Sequence, residues 1–130
     1  LDIVNSVEEC TDDVDELARD FVRYNVTELR DNSIASLINT EKAASKLVEI
    51  FFQMKSMDSV NSPFMDILEL DHFKVESSKH YDVHMTKLFM NEKDPIEIIK
   101  WKDIYSSIRQ VFTTFEDIAE NCAKYVILKN

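Results

Sequence analysis

The chain has 130 residues, 45% of them hydrophobic, with no Gly, two Pro and a net charge of −10 from 25 acidic and 15 basic side chains. A sheet protein of this length needs Gly or Asn-Gly turns, so the composition argues for few, long helices in one all-α domain spanning residues 1–130. The acidic balance sets nucleic acid and anionic membrane surfaces aside and leaves cations or basic protein surfaces as the partners that charge permits.

The first predicted helix runs from about Asp2 to Tyr24, with an apolar stripe of Val4, Val7, Cys10, Val14, Leu17, Phe21 and Tyr24. Its other face carries a carboxylate ladder: Glu8, Asp12, Glu16 and Asp20 step by four, beside a parallel rung of Glu9 and Asp13. Like charges at this spacing destabilise a helix by roughly 0.2–0.5 kcal/mol per pair. The ladder, expected to face outward, is either a surface site for cations or a solvated face. Asn25 is the expected stop, because Asn tolerates the left-handed conformation.

A second helix is predicted from about Ser33 to Met57, with Ile34, Leu37, Ile38, Ala44, Leu47, Val48, Phe51 and Met54 inward and Phe52 broadening that face. Residues 57–62 read as a loop, and Ser62-Pro63 as a cap with Pro at the first helical position. The third helix, about Pro63 to Met90, rests on Ile67, Leu70, Tyr81, Met85 and Leu88. Its middle is polar, with Lys74, Ser77 and Ser78, and the small Ser side chains allow a neighbouring helix to come close.

His72, Glu76, His80 and His84 repeat every four residues along this helix. A four-step row drifts by ~40° per step, so all four cannot meet one ion. His80 with His84 is the best metal-ligating pair, and placement in the core or on the surface is the alternative. Glu69-x-x-His72 is one copy of a motif that di-iron bundles require twice, together with two further carboxylates.

The fourth helix opens with Asp94 as N-cap, Pro95 at the first position and Glu97 at the third. Its stripe of Trp101, Ile104, Ile108, Val111, Phe115, Ile118, Cys122 and Tyr125 alternates steps of three and four. Such a stripe is buried along its length only by other long helices, so the fold is an elongated antiparallel bundle of about four helices, each ~35–50 Å long. Cys10 and Cys122 read as reduced thiols of a cytoplasmic protein. No Gly-dependent nucleotide or nucleophile motif exists in the chain and no catalytic constellation is recognisable, which argues against an enzyme and gives no catalytic or cofactor-binding residue.

Leu88-Phe89, then Glu92 to Tyr105, then Phe115-Glu116-Asp117-Ile118-Ala119-Glu120 and a terminal Val126-Ile127-Leu128-Lys129-Asn130 resemble the PhoU-related family often encoded beside Pit-type inorganic phosphate transporters. Tyr24 to Arg30 is similar to a linking segment of that family. The resemblance implies an all-helical PhoU-like bundle, with additional N-terminal helices of the family expected to be absent. It also implies an accessory or regulator of phosphate transport that acts by contact with a transporter. Members of the family bind metals through paired carboxylates. In this chain those pairs fall on Lys74 and Ser78, on Arg109 and Thr113, and on Leu1 and Asn5, so no metal ligands are carried over. Glu8 with Asp12, and Glu116 with Glu120, sit seven residues beyond the lost pairs and mark where a displaced metal site would lie. A metal-binding carboxylate bundle and a homo-oligomerisation module are the alternative readings.

Overall fold

The computed structural model describes residues 2–30, 33–55 and 64–129. They form four helices: α1 (Asp2–Arg23), α2 (Ser33–Lys55), α3 (Phe64–Asn91) and α4 (Pro95–Lys129), with no strand among the described residues. The all-α bundle expected from the composition is what the chain adopts. The loop at 57–62, the Ser62-Pro63 cap and Leu1 lie outside the described residues. Among the described residues no helix is long and apolar enough to cross a membrane.

Two helix ends show how the sequence sets the boundaries. Asn25 adopts a φ of 49°, in the left-handed region. There its N–H bonds the Val22 carbonyl at 3.1 Å while the Val26 N–H bonds that of Phe21 at 3.1 Å. This paired closure satisfies carbonyls that the end of α1 would leave orphaned. At the start of α4 the Asp94 carboxylate accepts the Ile96 N–H at 2.9 Å. Glu97 does not complete the reciprocal cap. The Asp94 N–H bonds Glu92 at 3.2 Å instead, and Glu97 pairs with Lys100 at 3.6 Å.

α4 is the mast of the molecule. α1, α2 and α3 all pack along it, α2 packs against α3 as well, and among the described residues the α1 backbone comes close to neither α2 nor α3. Side-chain ties give the directions. Asn121 meets Ser6 at one end of α1 while Tyr24 meets Asp103 at the other, so α1 and α4 are antiparallel. Lys74 meets Glu116 and His84 meets Tyr105, so α3 and α4 are antiparallel as well. α2 runs against α3, with Asn39 on the Phe73 carbonyl and Lys46 on Asp66.

The core follows the α4 stripe. Trp101, Ile104, Ile108, Val111, Phe115, Ile118 and Cys122 are all buried, joined by Tyr105, Phe112, Ala119 and Val126. Tyr125, expected on the stripe, is 38% exposed and Val126 takes its place with none. A straight helix of 3.6 residues per turn outruns a 3,4 repeat by ~20° per heptad, so the final step lengthens to four.

The other stripes are corrected more deeply. On α1 the buried residues are Ser6, Leu17 and Asp20, and Val4, Val7 and Val14 are exposed. On α2 the inner row is Ser33, Ser36, Ala43, Leu47 and Ile50, while Ile34, Ile38, Val48 and Phe52 face out. Both shifts have one cause. Each of these helices has a broad apolar face, and only the part that meets a neighbour is covered. The buried rows include small residues (Ser33, Ser36, Ala43 and Ser77), a size that lets helix backbones come together. Ser77 is buried as the third-helix reading anticipated, while Ser78 is exposed.

Candidate functional site

The chemistry-bearing residues gather at two internal seams. The first joins α1 to α4. Asp20 is 3% exposed and accepts hydrogen bonds from Ser107 Oγ at 2.6 Å and from Arg23 at 3.0 Å. Arg23 also reaches Glu16 at 3.1 Å. One turn further on, the Tyr24 hydroxyl donates to Asp103, and that bond raises the phenol pKa. Asn121 closes the other end, donating to Ser6 Oγ at 2.7 Å. A buried carboxylate costs stability unless it is bonded in this way.

The ladder is therefore split. Glu8, Glu9, Asp12 and Glu16 are exposed, Asp13 is half-buried, and Asp20 turns inward, contrary to the outward face expected of the whole ladder. The drift of ~40° per four residues explains it: three steps from Glu8 carry Asp20 round to the α4 side.

The second seam joins α3 to α2 and α4. His84 is 6% exposed, its ring 5.1 Å from that of Tyr105 and 5.8 Å from that of His80, the latter stacked at 21°. Ser36 Oγ lies 3.5 Å from His84 Nδ1. Burial lowers the His84 pKa from its ordinary value, and the nearby His80 and Lys87 push it the same way. A cavity of about 10 Å³, lined by Ser36, Ser77, Tyr81, His84, Tyr105 and Arg109 among others, adjoins it. That is room for about one water molecule. Arg109 covers the Tyr81 ring at 4.6 Å. With Phe21 edge-on to Trp101 at 6.5 Å and Trp101 at 5.6 Å from Tyr105, a row of rings runs from α1 through α4 to α3.

The metal readings gain no geometry. Among the described residues no group of three or more His, Cys, Asp or Glu could hold an ion. His80 and His84 stack instead of converging, His72 is exposed, and Glu76 pairs with Lys79 at 3.7 Å. Glu69 is drawn to Lys46 at 3.0 Å, which also gathers Glu49 at 2.8 Å and Asp66 at 3.3 Å. At the displaced positions Glu116 is engaged by Lys74 at 2.6 Å, with Glu120 exposed. Lys74 and Arg109, standing where the resembled family has carboxylates, are thus an ion-pair donor and a ring cover. Thr113 bonds back to the Arg109 carbonyl, and Asn5 is exposed.

Neither thiol is activated. Cys122 is fully buried and pushed up to about 11 by burial. Cys10 is raised first by burial, with a hydrogen bond to Thr114 acting in the opposite sense.

Two features had only faint sequence signals. Arg30, in the α1–α2 connection, pairs with Glu92 in the α3–α4 turn at 2.8 Å. That bond, with help from the Asp94 N–H, holds the Glu92 carboxyl below its usual range. Both residues fall in segments of the family resemblance, but nothing in their spacing couples them. The second is the tip itself. Phe89, Met90, Ile96 and Ile99 are 56%, 70%, 62% and 58% exposed around the α3–α4 turn. No family model, curated protein or solved structure matches the chain.

Proposed function

We propose that this protein is an accessory or regulatory subunit of inorganic phosphate transport, acting by protein contact at a Pit-type transporter. One observation carries the reading. The stretch with the most specific resemblance, residues 88–105, forms the α3–α4 tip, and that tip is where the fold leaves Phe89, Met90, Ile96 and Ile99 uncovered. Clustered large apolar side chains held out to solvent mark a contact surface more often than a solvated end. The Arg30–Glu92 pair and the Asp94 cap hold the turn from which these side chains project. The buried Asp20 and His84 tie helices together.

The test is co-purification with a Pit-type transporter, together with phosphate uptake in cells lacking this protein. The account expects association and, in cells lacking the protein, altered uptake; a Phe89→Ser, Ile96→Ser double variant that keeps its helical spectrum should neither associate nor restore normal uptake. No association and unchanged uptake would refute it.

A further inference from the structure

The start of α2 is tied to the α3–α4 turn by one run of contacts. Ser33 opens α2 with its N–H and its Oγ both on the Arg30 carbonyl, at 2.9 and 2.6 Å. Arg30 pairs in turn with Glu92 at 2.8 Å, in the turn from which the tip projects. Three residues into α2, Ser36 Oγ lies 3.5 Å from His84 Nδ1. Further along, α2 holds α3 differently: Lys46 meets Asp66 at 3.3 Å and Glu69 at 3.0 Å. The α2–α3 seam thus closes on an imidazole at the tip end and on ion pairs at the other.

The imidazole end is built for a neutral ring. His84 is buried, and its stacked neighbour His80 is centred 5.8 Å away. The Nδ1 of His80 is itself buried with no hydrogen-bond partner among the described residues. The groups that face His84 are His80, Tyr81 and Lys87 from α3, Tyr105 and Arg109 from α4, and the neutral Ser36 from α2. No carboxylate lines the pocket among the described residues. A proton on His84 therefore makes a buried cation without a counter-charge, next to a second imidazole that ordinarily titrates in the same range. Burial and the neighbouring cationic groups oppose it in the closed state. The ring takes the proton readily once it reaches water.

We propose that His84, with His80 stacked on it, is an acid-sensitive latch at the tip end of the α2–α3 seam. As pH falls below about 6.5, the first turns of α2 part from α3. The Lys46 ion pairs and the α1–α4 seam stay closed. Movement of Ser33 carries Arg30 with it, so the Glu92 contact loosens and the tip loses its support. The consequence for docking rests on the transporter reading; the latch does not.

Amide hydrogen exchange of the full chain, at about pH 7.5 and about pH 5.5 and corrected for the intrinsic rate, tests this. Residues 37–42 and 92–98 should lose protection several-fold at the lower pH, up to about tenfold for one imidazole that titrates near 6.5 when open. α1 and residues 47–53 should keep theirs. The pH difference should vanish in His84→Phe, or in His84→Gln if the larger ring does not pack, and shrink in His80→Phe. Protection lost equally along α1 and α2, a loss that persists without His84, or no loss at all would each overturn the latch. The protein is measured alone, so the outcome is separate from whether a transporter binds it.

Discussion

Ser107 Oγ sits 2.6 Å from Asp20 Oδ2, with the Asp20 side chain only 4% exposed. This contact fixes which side of α1 lies on α4, and it puts a carboxylate inside a seam where a sequence stripe asks for a valine. Asp20→Ala removes the acceptor and leaves Ser107 without its partner. The expected loss is about 1–3 kcal/mol in urea unfolding. Ser107→Ala should cost less, and the double variant should fall short of the sum by about 1 kcal/mol because the two residues act as one unit. Strict additivity would show that the bond carries no energy.

Asn25 holds its left-handed turn without glycine in a chain that has none. Asn25→Gly should be neutral or mildly stabilising. Asn25→Val should cost about 1–2 kcal/mol, since a β-branched side chain clashes at positive φ. A thermal midpoint for Asn25→Val below those of both the parent and Asn25→Gly would satisfy this. Equal midpoints would not.

His84 makes stability depend on pH in a defined direction. Its folded pKa lies below the ordinary 6.5, first through burial and then through His80 and Lys87 on its own helix. From α4 the groups near its pocket are Tyr105 and the cationic Arg109, and from α2 the neutral Ser36. The unfolded chain therefore takes up this proton first as pH falls. The His84 contribution is complete above pH 6.5 and is lost as pH drops from there toward the folded pKa. His84→Phe should flatten the denaturation midpoint between about pH 5 and 6.5, a window above most carboxylate titrations. An unchanged slope would place the dependence elsewhere.

The thiols give a kinetic prediction. With Cys122 fully buried and its pKa raised to about 11, reaction with a thiol reagent near neutral pH should wait for unfolding. Cys10, half-buried, should react sooner but still slowly. Labelling of Cys122 at the rate of a free thiol in the native protein would contradict its placement.

The number of helices, the Asn25 stop, the Asp94 start and the α4 core were legible because each depends on local chemistry or on a helix surrounded by others. For α4, periodicity and burial coincide, as Trp101 and Ile104 show at 2% and 0% exposure. The faces of α1 and α2 were not legible. Their apolar residues span more than one flank, and the sequence does not say that α1 meets α4 alone. Asp20 and Ser6 were missed for a related reason: a polar residue joins an inner row only when a partner such as Ser107 or Asn121 arrives from far along the chain. The His row was visible, but its outcome, His84 stacked on His80 and tilted against Tyr105, depends on how close α4 comes.

The account rests on which side of α1 faces α4, and single cysteines report this directly. In a background without Cys10 and Cys122, Val14→Cys and Leu17→Cys are labelled in the native state and the rates compared. The account predicts fast labelling at 14 and strong protection at 17, where Leu17 is 7% exposed against 45% for Val14. Protection at 14 with fast labelling at 17 would show that α1 docks through its valine row, and the seam described above would fall.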